Sequence, residues 1–142
     1  MSYPYANQPR IINTALKSTF GLSPNGAALL SYIWIPVTSI IVMVTEKENR
    51  MVRFHAFQSL FLGLGLFALT IGLSIVIGVL ALIAGMISPY LGIIVSLISL
   101  LVWVVLAFIF LGIWVLCLIK AYRGEMYKLP VVGKYAERSA NK

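Results

Sequence analysis

The fold is decided by residues 54–119, which read FHAFQSLFLGLGLFALTIGLSIVIGVLALIAGMISPYLGIIVSLISLLVWVVLAFIFLGIWVLCLI. This stretch contains no Lys, Arg, Asp or Glu, and its only group that titrates near neutral pH is His55. A helix needs about 20 consecutive apolar residues to cross about 30 Å of hydrocarbon. The stretch is therefore long enough for more than one membrane-spanning helix, and its strongest break is Ser88-Pro89.

The overall composition agrees with a membrane protein. The 142 residues are 61% hydrophobic and 11% charged, with a mean hydropathy of +0.97, whereas soluble chains are about 45–50% apolar and about 25% charged. Eleven Lys and Arg give a formal net charge of +7, which suits anionic headgroups or an acidic partner. The basic residues flank the hydrophobic runs instead of covering a soluble face, so we expect no nucleic-acid binding.

The placement of charges predicts how often the chain crosses the membrane. An uncharged run at 27–44 precedes the charged loop 45–53, and the long stretch divides into spans at 56–87 and 90–119, both long enough to tilt. Three spans put the loop and the C-terminal tail on one side with nine of the eleven Lys and Arg, as the positive-inside rule expects. Four spans, the alternative, would separate them. We therefore predict an all-α polytopic membrane protein with three transmembrane helices.

Three parts of the chain follow from this division: an N-terminal tail 1–26, a transmembrane domain 27–119 and a basic cytoplasmic tail 120–142. The N-terminus is then outside and the C-terminus cytoplasmic. Apolar residues at helical spacing within 10–22 predict a short amphipathic helix in the membrane interface, with a loosely ordered tail as the alternative. In the first span, Pro36 is expected to kink the helix because it lacks an N–H group.

The spans lack the residues of a pump or an enzyme. No ionised side chain lies mid-span, although ion and proton paths usually require such groups. One His, no Asp and the membrane-buried Cys117 supply neither a nucleophile with its base nor a zinc ligand cluster. We therefore expect no enzymatic activity, no metal and no cofactor. Small residues such as Gly85 and Gly92 predict close helix packing, within one chain or between copies.

The candidate binding residues lie where the second span begins and where the third span ends. His55, Gln58 and Ser59 share one helical face, which can point inward, while three Phe side chains within 54–61 share another that would meet lipid or a neighbouring helix. The competing interpretation is that the basic residues only anchor the helices at the interface. The candidate residues for docking a partner or a headgroup are Arg50, Arg53, His55, Gln58, Arg123, Glu125, Tyr127, Lys128 and Pro130.

These same residues carry a resemblance to a known family. The motifs are EKENRMVRFHAFQS at 46–59 and GEMYKLPVVG at 124–133. Together they resemble a family of small bacterial and archaeal membrane proteins, related to the twenty-kilodalton channel component of the chloroplast inner-envelope import translocon. Magnetosome membrane proteins are among its relatives. The family's motif falls here on Arg53, Phe54 and Gln58, with His55 where Asn is common.

The resemblance covers roughly residues 23–137 and implies a translocon-like membrane protein. It also implies that the Arg53-Phe54 motif and the tail lie on the same inner side, as the charge count does. The chloroplast component resembles a four-span protein, whereas only one predicted span precedes the motif here. The resemblance therefore supports the membrane topology more strongly than it supports a function in protein import.

Three functional hypotheses follow. The first is a non-enzymatic membrane subunit whose cytoplasmic rim docks a partner in translocation, assembly or scaffolding. The second is an oligomeric channel or protein-translocation pore, with a path between copies. The third is lipid binding or membrane shaping through the 10–22 helix and the tail. Expected partners are membrane lipids including anionic headgroups, another membrane protein or larger complex, or further copies of the chain, in the inner cell membrane or another energy-transducing membrane.

Overall fold

The computed structural model describes residues 18, 19 and 21–141. The amphipathic helix predicted at 10–22 lies largely outside them and stays a prediction. The described residues contain five α-helices and no strand, which confirms the all-α class. In chain order the helices are α1 (Pro24–Leu30), α2 (Val37–Thr45), α3 (Arg50–Ile87), α4 (Pro89–Tyr122) and α5 (Val132–Ala140).

The two long helices lie where the sequence predicts the second and third spans. Helix α3 has 38 residues and α4 has 34, so at 1.5 Å per residue each is about 50 Å long or more. They are separated by Ser88 alone. Beside this turn, a Cβ atom on Gly92 would lie 3.1 Å from the Cα of Gly85. The missing side chains therefore permit the close helix packing that these glycines predict.

Large apolar side chains cover the outside of both long helices. Leu82 and Phe108, for example, are 70% and 71% exposed. A continuous apolar surface of this size is unfavourable in water and marks a surface that meets lipid or protein. Both helices are also long and apolar enough to cross a bilayer. The chain is thus a membrane protein with two helices of transmembrane length among its described residues.

The first predicted span differs from the expectation of one helix. Residues 27–44 fall in α1, with seven residues, and α2, with nine, and residues 31–36 separate them. The interruption ends at Pro36, whose ring and missing N–H oppose a continuous helix. At about 10 and 14 Å neither helix can cross 30 Å of hydrocarbon. At Pro36, where a kink was predicted, the helix is therefore broken completely. No third helix of transmembrane length is found in the described residues.

The chain divides into two compact units. We call Leu64–Leu116 the apolar unit, and the chain up to Gly63 together with the chain from Cys117 onward the polar unit. Every described Lys, Arg and Glu belongs to the polar unit, and the apolar unit has none. Because polar packing and charge are confined to the polar unit, the search for a functional site starts there.

Helix α5 is part of the polar unit and lies within the region expected only as a charged tail. Its Ala136 and Ala140 pack against Phe54, and further apolar side chains surround this core. Gly133 lets the start of α5 lie close to the segment before it, since a Cβ atom there would lie 2.7 Å from the Cα of Lys128. The aromatic face of α3 therefore meets a neighbouring helix, one of the two partners predicted for it. The surrounding side chains are Phe57, Phe61 and Met126.

Candidate functional site in the polar unit

The start of α3 is fixed by two polar side chains. Asn49 precedes the helix, and its Oδ1 accepts hydrogen bonds from the N–H groups of Met51 and Val52, at 3.1 and 3.3 Å. This is the geometry of a helix N-cap, which satisfies N–H groups that have no partner within the helix. Glu46 Oε1 accepts from the N–H of Asn49 at 3.0 Å. The sequence places these two residues at the right spacing, but both were missed as site residues.

Glu46 also ties the chain before α1 to the chain after α2. Its Oε2 accepts a hydrogen bond from the N–H of Thr19 at 2.8 Å, and its Oε1 accepts a second one from Glu48 at 3.2 Å. Burial of the carboxylate opposes ionisation, but the backbone N–H groups of Asn49, Thr19 and Glu48 outweigh it and lower the pKa of Glu46 below its usual value. The ionised carboxylate is therefore part of the folded structure.

A buried polar cluster is centred on the hydroxyl of Tyr32. This oxygen lies 3.2 Å from Nδ1 of His55 and accepts a hydrogen bond from Nε2 of Gln58 at 3.4 Å. The same Gln58 nitrogen lies 3.9 Å from Sγ of Cys117. All four side chains are at most 1% exposed. The cluster therefore joins the break after α1 to both long helices without any contact with solvent.

A chain of serine hydroxyls lies beside this cluster. Ser39 Oγ donates to the carbonyl of Ser31 at 2.9 Å and lies 2.6 Å from Oγ of Ser59. Ser59 is one turn away from His55 on α3, and all three serines are fully buried. These bonds satisfy polar groups where water is absent and hold α2 against α3.

Three buried side-chain atoms of the described residues have no hydrogen-bond partner: Ser31 Oγ, His55 Nε2 and Gln58 Oε1. The main chain of Glu125 faces the imidazole of His55, but without the geometry of a hydrogen bond to Nε2. Unsatisfied buried polar atoms are rare in proteins and are commonly met by a buried water or a polar ligand atom. The described residues include no group of three His, Cys, Asp or Glu side chains that could hold a metal ion.

Ion pairs fasten the C-terminal segment to the helix ends. Glu137 on α5 contacts Lys128 at 2.8 Å and Arg50, at the start of α3, at 3.6 Å. Lys120 at the end of α4 contacts Glu125 at 2.7 Å, and its ammonium lies 5.6 Å from the ring centre of Tyr127. Gly124 follows the end of α4 with a φ of +71°, a left-handed conformation that glycine adopts readily at the end of a helix.

Further cations of the polar unit make no ion pair with another described residue. Lys47, Arg123, Lys134 and Arg138 are exposed, and Arg53 is half-buried. Lys134 and Arg138 lie four residues apart on α5, opposite the alanine face that packs on Phe54. The outer side of this helix is therefore positively charged and open to a partner.

The structure divides the predicted docking residues into three groups. Arg123, Glu125, Tyr127 and Pro130 are exposed. Arg50, Arg53 and Lys128 are half-buried, and the first and third of these bind Glu137. His55 and Gln58 are fully buried in the polar cluster, so they lie inside the unit and not on its surface. Both side chains point inward, and their hydrogen-bond partners are Tyr32 and Cys117.

The fold and the site together define the class of protein, a small, helical integral membrane protein. One of its two units carries the charged side chains and contains a cluster of buried hydrogen bonds. Comparison with known proteins gives the family. The profile of the magnetosome magnetite crystal formation protein family matches residues 19–136. The chain therefore belongs to this family, as the motifs at 46–59 and 124–133 indicate. The relation to the chloroplast translocon component stays a prediction.

Archaeal relatives cover most of the chain. A UPF0132 membrane protein of Archaeoglobus fulgidus is 38% identical over 120 residues, which are 82% of this chain and 95% of the relative. A UPF0132 membrane protein of Methanocaldococcus jannaschii is 35% identical over 122 residues, covering 86% and 93% of the two chains. A second such protein of that organism is 35% identical over 120 residues, covering 83% and 71%. No solved structure matches the chain.

Proposed function

We propose that this protein is a non-enzymatic membrane subunit whose polar unit docks an acidic partner protein at the cytoplasmic surface. Two long helices anchor the chain in the bilayer. The polar unit, with every described Lys and Arg, faces the cytoplasm because positively charged segments are retained there. The role is to hold a partner at the membrane, as in assembly or scaffolding.

The observation that carries the proposal is the distribution of charge. Three of the eight described cations are neutralised by Glu125 and Glu137. The other five form no ion pair with a described residue, and four of them are exposed. A surface with this excess of positive charge attracts an acidic segment, raises its rate of association and favours it over basic competitors.

The internal packing supports a docking role because it makes the surface rigid. Buried hydrogen bonds from Tyr32 and Ser39 and the Phe54 core fix the helices that present the cations. A rigid surface loses little conformational entropy on binding. The family description concerns magnetite crystal formation and the archaeal relatives are described only as membrane proteins. Holding a partner protein at a membrane is a role that fits both the magnetosome family and the archaeal membrane proteins.

Anionic headgroups are the second candidate ligand. Helix α5 is amphipathic, with its apolar face packed on the protein and Lys134 and Arg138 outward. Each cation near an anionic surface contributes about 1 kcal/mol of attraction. Two exposed cations on α5 bind a bilayer weakly, whereas the five unpaired cations give a protein partner more contacts.

The test is copurification from native membranes with a charge-reversed variant. Arg123→Glu, Lys134→Glu and Arg138→Glu are combined, and Arg123→Lys, Lys134→Arg and Arg138→Lys serve as the matched control that keeps the charge. We expect the wild type and the control to retain the same acidic protein, and the reversed variant to lose it. Retention should also fall as salt is raised, because salt screens exposed charges beyond about 8 Å at 0.15 M.

Two outcomes would contradict the proposal. If all three forms copurify with the same proteins, the cations are not the docking surface. If the wild type binds no protein but floats with anionic liposomes, and the reversed variant does not, the ligand is a headgroup. For the copurification and the liposome experiment alike, far-ultraviolet circular dichroism shows whether the reversed variant keeps its helices.

A further inference from the structure

The ends of the α1–α2 pair lie together. The N–H of Thr19, before α1, donates to Glu46, directly after α2, at 2.8 Å. Asn25 Nδ2 in the first turn of α1 donates to the carbonyl of Tyr122, the last residue of α4, at 2.8 Å. The chain therefore enters α1 and leaves α2 at the end of the polar unit where α3 begins and α4 ends.

The break between α1 and α2 lies further along α3. Tyr32 contacts His55 and Ser39 contacts Ser59, while a Cβ atom on Gly63 would collide with the side chain of Ile35. Gly63 is 13 residues after Arg50, or about 20 Å along the helix axis. The pair thus runs out beside α3 and returns, with its tip beside Gly63.

The tip, residues 31–36, is apolar outside, and three of its backbone N–H groups are hydrogen-bonded within the protein. Ile33 and Trp34 are 67% and 69% exposed. The N–H groups of Tyr32, Ile33 and Trp34 donate to Leu29, Leu30 and Thr38, respectively. Non-helical backbone is tolerated at membrane depth only where its polar groups find partners in the protein. Three N–H groups of the tip meet this requirement, and its outward side chains match the acyl region.

We propose that α1 and α2 form a re-entrant helix pair, which enters the bilayer from the charged side and returns to it. The surface formed by Ile33, Trp34 and the outer face of α2 contacts lipid acyl chains of that leaflet. The outer face of α2 consists of Val37, Ile40, Ile41 and Val44, all exposed.

This topology places Ser18 and Thr19 on the same side as the C-terminal segment, whereas the three-span prediction puts the N-terminal tail outside. All eight described Lys and Arg then lie on one side, and the opposite side receives the uncharged turn at Ser88, as the positive-inside rule expects.

The side of the membrane on which Leu22 lies tests the topology. In a Cys117→Ala background, a single cysteine replaces Leu22, Lys47 or Tyr90, and a membrane-impermeant maleimide is applied to intact cells and to inverted vesicles. Leu22→Cys is expected to label together with Lys47→Cys and opposite to Tyr90→Cys, a pattern that does not depend on any docking partner. Labelling of Leu22→Cys together with Tyr90→Cys would overturn the proposal. Ser2→Cys gives the same readout if Leu22→Cys does not accumulate.

The fluorescence of Trp34 tests the lipid contact. Trp103→Phe and Trp114→Phe leave Trp34 as the only tryptophan, and the protein is placed in nanodiscs of phosphatidylcholine with plain or brominated acyl chains. We expect brominated chains to quench Trp34. A control with Trp34→Phe added and Tyr135→Trp at the charged end should lose less fluorescence. Equal fluorescence of Trp34 in both lipids would overturn the lipid assignment, since protein would then cover the tip.

Discussion

The polar unit and the apolar unit are stabilised by different contacts. In the apolar unit, Thr70, Ser96 and Ser99 donate to carbonyls of their own helix, and large side chains point outward. In the polar unit, hydrogen bonds and ion pairs join residues as far apart in sequence as Asn25 and Tyr122. The comparison teaches that lipid replaces tertiary packing in one unit, while the other needs specific partners.

The largest effect is expected from a glycine substitution in the polar unit. Gly133→Ala puts a Cβ atom 2.7 Å from the backbone of Lys128, so α5 must shift, at a cost of about 3 kcal/mol in the free energy of unfolding. Gly112→Ala in the apolar unit is the matched control, because its Cβ would meet nothing within 4 Å. Reversible unfolding in mild detergent compares the two. Equal losses would mean that the units do not differ in packing.

Glu46→Gln is expected to have the next largest effect, about 2 kcal/mol, because the hydrogen bonds from Thr19, Glu48 and Asn49 lose a charged acceptor. The lowered pKa of Glu46 gives this contribution a pH dependence. It is complete above the ordinary glutamate pKa of about 4.3 and is lost as the pH falls through the lower pKa of the folded state.

Unfolding of wild type and Glu46→Gln from neutral to acidic pH isolates this carboxylate from the other three. The difference between their stabilities should shrink as the pH falls. A difference that stays constant would show that Glu46 is not ionised in the folded protein.

Tyr32→Phe tests the difference between the two units by removing a single hydroxyl group. Its loss removes the partner of His55 Nδ1 and one of the two partners of Gln58 Nε2 in a buried site, which costs about 1.5 kcal/mol. Tyr90→Phe removes a hydroxyl from a side chain that is 78% exposed in the apolar unit, and it should change stability by less than about 0.5 kcal/mol. If Tyr32→Phe behaves like its control, the cluster does not stabilise the fold.

The smallest effect is expected from two serines. Ser39→Ala breaks bonds to Ser31 and Ser59 and should cost about 1 kcal/mol. Ser96→Ala removes a bond to the carbonyl of Gly92 within one helix, and Ala has the higher helix propensity, so little or no loss is expected. The midpoint of thermal unfolding measures both. A greater loss for Ser96→Ala would reverse the comparison.

Hydropathy was sufficient to predict the apolar unit. The expected spans 56–87 and 90–119 lie within α3 and α4, and Ser88 is the break between them. This success has a physical reason, since burial in lipid depends on local composition and length. The small residues of these helices predicted close packing without specifying which of them approach each other, and the structure brings Gly85 and Gly92 together.

The polar unit could be predicted only in part. Pro36 indicated a disturbed helix, but residues 27–44 have enough hydropathy for a span, and nothing local shows that the chain turns back. The partners of His55 and Gln58 come from Tyr32 and Cys117, up to 59 residues away. Contacts of that kind depend on the tertiary fold, which one sequence does not specify by pattern. The four-residue spacing of Ala136 and Ala140, and of Lys134 and Arg138, was a missed signal for α5.

A photo-crosslinking amino acid at position 138 or at position 75 tests the docking function most directly. Arg138 is an exposed cation of the polar unit, and Ile75 is 62% exposed in the apolar unit. In native membranes we expect position 138 to form adducts with an acidic protein, and position 75 with lipid. Protein adducts from position 75 and none from position 138 would contradict the account.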